Sequence, residues 1–509
     1  MTFPDTDATS LEDFSGSASE EFGADSFAEL GPGPRPTIYQ HPIPFERIDP
    51  DAVKVIRRLN EAGYLAFLVG GGVRDLLLGR SPKDFDVATS ARPEEVRRLF
   101  RNCRIIGRRF RLAHIMYGQK VIEVATFRRD PTEALELAEN EFAEELAAAA
   151  EGATADQQND DVQDDVTSEQ DEQDEQDAQD AQDAQDAQDE QNAQDAENAR
   201  ARSSKRREGA DLLIRHDNVF GEPHEDAIRR DFTINGLFYD IERERVIDYI
   251  GGMPDLERRV MRTIGDPVVR FREDPIRMLR AIKFSARCDF GIDADMMDAL
   301  VAERDEIKKS AAPRVLEEIL RLMRGGAAHR SLYLSWDTGI LSVMMPELSS
   351  YLDDRAPDFD AFWQRLDVID RLTTEHGPLP DTTLLLALLW GPLTERVEGE
   401  RDVLRAFDSF WLPLTRRISV PRRMKDRMRL IFAAQARLAS NRAGNLSKRD
   451  FYAEAVFFCG IQREALGEAI AEMPSKSALA TPRERERHGH GGGGDRPPRD
   501  DGRRRRRRR

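Results

Sequence analysis

The chain has 509 residues, 39% apolar and 34% charged, with a formal net charge of −19, enough for two to four domains at about 150 residues each. Taken whole, that charge invites a reading as an acidic protein that avoids nucleic acid, and that reading fails. The charge is concentrated in residues 131–200 (25 Asp/Glu, one Arg) and residues 1–30 (8 Asp/Glu, no Lys or Arg), and the rest of the chain is net +13, so a basic body lies beneath the acidic total.

Residues 1–40, rich in Ser, Asp, Glu and Pro, have no sustained period and are expected to be disordered. Apolar positions at helical spacing (Val53, Ile56, Leu59) then predict a helix over 48–60, ended by Gly63 before a strand at Ala66–Val69. A glycine-rich turn, a helix over 73–78, a strand centred on Asp84–Ala88 and a Pro93-opened helix over 93–101 follow. Alternation around Ile105, His114–Tyr117 and Val121–Phe127 predicts antiparallel strands. After Arg129 the pattern stops. Residues 154–199 repeat Gln-Asp-Ala and Asp-Glu-Gln triplets with no hydrophobic face to stack, so 131–210 read as a disordered insert within a domain. Such a loop adds little closure entropy, and structured sequence is expected again from about Leu212.

Beyond residue 255 the chain reads as helical, with segments at 273–289, 295–309, 313–324, 361–374, 381–390, 400–409, 422–440 and 448–472. Residues 475–509 return to Pro/Gly/Arg-rich disorder and finish in seven arginines, Arg503–Arg509. These bind polyanions without reading sequence, RNA or the acidic insert alike. The densest apolar run, Leu384–Trp390, is far shorter than the roughly 20 residues a membrane helix needs. Cys103, Cys288 and Cys459 show no CxxC spacing, and the N-terminus has no basic start followed by an apolar stretch. Together these predict a cytoplasmic protein in a reducing compartment.

The chemistry concentrates in 68–90, LVGGGVRDLLLGRSPKDFDVATS. Gly70, Gly71 and Gly72 leave a strand and open a helix, where bare backbone approaches a ligand and N–H groups face anionic phosphates. Alone, they also fit any tight strand–helix turn. Asp84 and Asp86, two apart on the expected strand, share a face. Alone, they also fit a solvated edge. Together the two features form a phosphate cradle beside a carboxylate pair of the kind that holds two Mg²⁺ ions for in-line phosphoryl displacement. Glu123, on a strand expected to lie alongside, is a candidate for a further carboxylate.

The string Gly71 to Asp75 (GG-x-x-R-D), followed by DxD, resembles the polymerase-β-type nucleotidyltransferases of the class that contains bacterial CCA-adding enzymes and bacterial poly(A) polymerases. IEVATFR (122–128), EDAIRRDFTINGLFYD (225–240), DYIGGMPDLERRVMRTIG (248–265) and FREDPIRMLRAIKFSAR (271–287) extend the likeness, densely over 45–130 and 211–325. IIGRRFRLAHI (105–115) and the tripled glycine look like the poly(A) polymerase branch. The resemblance implies an α+β fold: a nucleotidyltransferase head with a small mixed sheet (41–130 and 211–255), a helical neck that binds nucleotide and RNA (256–325) and a helical body (326–474). It implies that Gly71 and Arg74 bind the triphosphate of ATP, that Asp84 and Asp86 hold metal, and that Asp231 is the third acidic residue. Arg230, Arg277 and Arg280 would contact the nucleotide, and the Asp274/Arg277 pair would read the base edge in place of a template strand. The implied activity is addition of AMP from ATP to RNA 3′ ends, bound without strong sequence preference. CCA or A addition to tRNA, and an inactive RNA-binding scaffold, are the alternatives. His114 reads as a packed strand residue.

Overall fold

The computed structural model describes residues 33–107, 111–129, 219–354, 358–440, 442, 444–468 and 472–474. The expected acidic insert, the Arg503–Arg509 run and the whole N-terminal acidic stretch, 1–30, lie outside them. The chain divides into two compact units, one through Asp274 and one from Pro275. The break therefore falls inside the span expected as a neck, and residues 256–274 belong with the head.

The head is built on one eight-stranded sheet. In chain order its strands are β1 (Thr37–Gln40), β2 (Ala66–Val69), β3 (Asp86–Thr89), β4 (Cys103–Ile106), β5 (Leu112–Tyr117), β6 (Lys120–Thr126), β7 (Phe238–Asp240) and β8 (Arg245–Asp248). They lie in the order β1-β8-β7-β2-β3-β6-β5-β4. Only β3 and β6 pair in parallel; every other neighbour is antiparallel. The sheet is thus mixed, as expected, but larger than expected. Strand β1 falls within the span read as disordered: Thr-Ile-Tyr-Gln is too short to show a period, yet β8 supplies its ladder and Ile38 is 1% exposed.

Helix α1 (Pro50–Glu61) is capped by Asp49, whose side chain accepts from the N–H groups of Asp51 and Ala52, and its buried stripe lies against β2 and β3. Helices α2 (Gly71–Leu77) and α3 (Pro93–Leu99) follow β2 and β3. After the undescribed segment come α4 (Pro223–Ile228), α5 (Gly252–Arg258) and α6 (Pro267–Glu273). The stretch FTINGLFY, strand-like in composition, opens as a 3₁₀ turn at Thr233–Asn235 before β7. Phe67, Val69, Ala88, Phe127, Ala227, Phe238 and Ile247 form the core on one face of this sheet.

The second unit is almost wholly helical. Its α7 (Ile276–Cys288), α8 (Ala294–Glu303), α9 (Ala312–Met323), α13 (Phe359–His376), α14 (Asp381–Val397), α15 (Val403–Leu414), α16 (Arg422–Ala439) and α17 (Tyr452–Ala465) match the expected segments. Three further helices, α10 (Ala328–Asp337), α11 (Ile340–Met344) and α12 (Pro346–Asp353), escaped the periodicity reading. Every residue of Leu384–Leu389 on α14 is 0% exposed, so the densest apolar run is the centre of a helical core. No helix among the described residues is long and apolar enough to cross a membrane.

Candidate active site

The strand pairings set a straight row of side chains across one face of the head sheet. Residues directly opposite in neighbouring strands share a face, so the register carries the row through Ile38, Ile247, Phe238, Val69, Asp86, Glu123, His114 and Arg104. The inner part is core; from Asp86 outward it is polar. Asp86 and Glu123 are nearest neighbours through the one parallel pair, β3 with β6, although 36 residues separate them in sequence.

Crowding of charge at this point is evident from Asp86. Its carboxyl group is reached by solvent, but protein packed around it strips away enough water to push its pKa up to about 6. Glu123 and then Asp84 add to that rise, while Arg230 opposes it. The four charges therefore occupy one electrostatic neighbourhood. Strand β3 starts at Asp86, so Asp84 lies two residues before the ladder and not within the strand as expected. His114 Nε2 lies 3.5 Å from Glu123 Oε1.

The glycine turn closes the other side of Asp86. Gly70 has φ +72° and ψ −141°, a conformation open to glycine. A Cβ there would come 3.1 Å from Arg230 Nη1, and one on Gly72 would come 3.3 Å from the Asp84 carbonyl oxygen. Both the arginine and the acidic segment thus press on the turn itself. On Gly71, a Cβ would lie 3.4 Å from Arg74 Nη2.

Arg74 is 2% exposed. Its Nε and Nη2 donate to Asp75 Oδ1 at 2.9 and 2.7 Å, and Nη1 donates to Asn235 Oδ1 at 2.6 Å. Asn235 Nδ2 in turn donates to Asp231 Oδ1 at 3.0 Å, and the Phe232 N–H donates to the same oxygen. Arg74 and Asp231 are therefore joined through Asn235 in a network under the turn. Arg230 donates to Asp226 Oδ2 through Nε and Nη2 (3.2 and 2.8 Å) and to the Asn235 carbonyl through Nη1 (3.3 Å), with its guanidinium over the Phe238 ring. Asp226 is 1% exposed. Burial raises its proton affinity, but the Arg230 and Arg229 guanidinium groups outweigh that and hold its carboxyl below the usual range. Arg270 on α6 fixes the same corner by donating to the carbonyl oxygens of Arg229 (2.8 Å) and Arg230 (2.5 Å).

Asp226, Asn235 and Arg270 were not picked out in the sequence. The spacing of Asp226 from Arg229 and Arg230, three and four residues, is the helical ion-pair spacing that would have flagged it. Of the remaining expected residues, Asp274 ends α6, and Arg277 (8% exposed) and Arg280 lie on α7 in the second unit. Among the described residues no three His, Cys, Asp or Glu side chains converge as a ready metal cage. The donor chemistry still fits Mg²⁺, which takes one or two carboxylates and completes its shell with water and substrate phosphates. Asp86 and Glu123, with Asp84 near, offer hard oxygens whose mutual repulsion a divalent cation relieves.

The family model described as Poly A polymerase head domain matches residues 66–262, and that described as probable RNA and SrmB-binding site of polymerase A matches 289–352. Poly(A) polymerase I of Salmonella typhimurium is 34% identical over 415 residues, covering 79% of this chain and 74% of that protein. A CCA-adding enzyme of Lactobacillus helveticus is 26% identical over 333 residues, 65% of this chain and 61% of that protein. Among solved structures, the Bacillus stearothermophilus CCA-adding enzyme in complex with CTP shares the fold, with TM-score 0.50 and 23% identity over 88% of this chain and 82% of that one. A mixed-sheet head with its acidic pair beside a glycine turn, followed by a helical body, defines a nucleotidyltransferase. The chain belongs to the poly(A) polymerase family.

Proposed function

We propose that template-independent adenylyl transfer takes place on the sheet face around Asp86. The chain is a polynucleotide adenylyltransferase that adds AMP from ATP to RNA. In each cycle the RNA 3′-oxygen bonds to the α-phosphorus, the bond from that phosphorus to the bridging oxygen breaks, pyrophosphate leaves and the hydroxyl proton passes to solvent. The observation that carries the assignment is the lateral apposition of Asp86 and Glu123 next to a glycine turn held by Arg230.

Asp84, Asp86 and Glu123 would hold Mg²⁺, two ions by the logic of in-line transfer; bound there, the metal neutralises charge on the reacting phosphates. Arg230, beside Gly70, and the backbone of Gly71 receive the triphosphate, and Arg74 braces the turn from below. Asp231 holds Asn235 in that brace, which leaves Glu123 as the third carboxylate. Base reading falls to Asp274 and Arg277, with Arg280 as a nucleotide contact, on the resemblance of their segment to the family's. Exposed Arg422, Arg423 and Arg437 on α16 suit RNA phosphates in a sequence-independent manner. The work is that of a cytoplasmic RNA-processing enzyme.

The test is incubation of the purified chain with Mg²⁺, labelled ATP or CTP, and either tRNA lacking its CCA end or an mRNA fragment. Adenylate tails on both RNAs are expected. CTP incorporation confined to the tRNA would assign the chain to CCA addition, and RNA binding without incorporation would make it a scaffold.

A further inference from the structure

We infer that Arg104 and His114 form the site for the terminal phosphodiester of the RNA being extended. The inference rests on the proposed placement of the triphosphate at the glycine turn. In-line displacement requires the attacking oxygen and the leaving pyrophosphate to lie on opposite sides of the α-phosphorus. The turn and Arg230 flank the acidic pair on the β2 and β7 side. The RNA end must then approach across β6, from β5 and β4.

That is where the polar row continues. His114 is directly opposite Glu123, and Arg104 directly opposite His114, so both face the same side as Asp86. At about 4.8 Å between neighbouring strands, the Arg104 backbone is roughly 14 Å from that of Asp86, room for one nucleotide between guanidinium and carboxylates. Arg104 is exposed and, among the described residues, its side chain makes no hydrogen bond or ion pair. Its planar fork suits a phosphodiester. Ile106, two residues on and facing the same way, is 49% exposed, which offers apolar ground for the terminal sugar or base. The alternate residues Cys103 and Ile115 face the other way and are buried, so the exposed side of this hairpin is not needed to build the sheet. His114, touching Glu123, would donate to the RNA end and keep the carboxylate turned toward Asp86.

The experiment uses the full chain and an oligoadenylate primer ending in 4-thiouridine. Irradiation is expected to link the primer to the peptide spanning 103–117. Arg104→Ala should raise the KM for primer at least tenfold and His114→Ala at least fivefold, with the KM for ATP within twofold of the parent and Arg104→Lys partly restoring primer affinity. A link formed elsewhere, or an unchanged primer KM in both variants, overturns the inference while leaving the adenylyltransferase reading in place. A rise in the KM for ATP alone would instead put the triphosphate on this side, and both readings would fall together.

Discussion

Arg74 decides between two accounts of the glycine turn. The sequence resemblance makes it a triphosphate ligand, whereas the structure surrounds its guanidinium with Asp75 and Asn235 at 2% exposure. Arg74→Ala would take the guanidinium away from the Asp75 carboxylate, itself 5% exposed, and removing one partner of a buried ionic pair costs about 3–5 kcal/mol. For a domain of about 150–250 residues, each kcal/mol moves the melting midpoint by about 2–4 °C, so the head transition should fall by about 6–20 °C. Arg74→Lys, which keeps the charge but not the fork, should fall between parent and alanine. Differential scanning calorimetry with and without ATP measures this, because ATP cannot restore a contact that it does not make. A variant melting within about 2 °C of the parent, with its KM for ATP raised more than tenfold, would refute the brace and return Arg74 to the triphosphate.

Asp86 carries a pH signature. Its folded pKa, about 6, lies above the ordinary 3.8, so the folded head binds more protons than the unfolded chain between those values and loses stability as pH rises through that window. Asp86→Asn should remove this loss: the difference in melting temperature between variant and metal-free parent should widen from pH 4.5 to 7.5, while adenylyl transfer falls by at least about 10²–10³. Glu123→Gln should cut kcat by a comparable factor with the melting temperature nearly unchanged, whereas Asp231→Asn should lower the melting temperature first; the opposite pattern would make Asp231 the third carboxylate. In the helical unit, burial lowers the Lys283 pKa to about 8, against the pull of Glu318 3.1 Å away. The unfolded chain binds the extra proton above that value, so stability should rise with pH from about 8 to 10.4, and Lys283→Met should flatten the slope in denaturant titrations.

The parts of the fold legible in the sequence were those with long, uniform signals. The α1 stripe and most helices of ten or more residues with one apolar face were located, although α14 runs seven residues past its expected end and α17 stops seven short of its own. Helices α10 to α12 were not, because Gly339 and Pro346 cut the segment into pieces of ten, five and eight residues, too short for a periodicity window. The FTINGLFY stretch reads as a strand on composition; its end is one, β7, but Thr233–Asn235 form a 3₁₀ turn, in which Asn235 reaches both Arg74 and Asp231. The site divides the same way. Gly70–Gly72 and Asp86 lie close together in the chain and announce themselves. Asn235 and Arg270 owe their roles to partners they meet only after folding, Arg74 and the Arg229 carbonyl, and a local pattern does not encode that meeting; Asp226 does carry a local signal in its spacing to Arg229 and Arg230.

The choice between Asp231 and Glu123 as third carboxylate depends on strand direction, which residue types do not disclose. Had β6 run antiparallel to β3, as hairpin-like spacing suggests for the neighbouring β5 and β6, Glu123 would have no reason to fall beside Asp86. The chain reaches β6 through α3, β4 and β5 and enters it parallel to β3. The same direction carries β6 on to Phe127, where the backbone meets Gly221 and the chain resumes toward α4. One crossover therefore places a carboxylate next to Asp86 and delivers the strand end that seats Asp226 and Arg230. The acid and its counter-charge share a structural origin, and that is the ground on which we propose Glu123 on β6, rather than Asp231 on the turn that follows α4, as the third carboxylate.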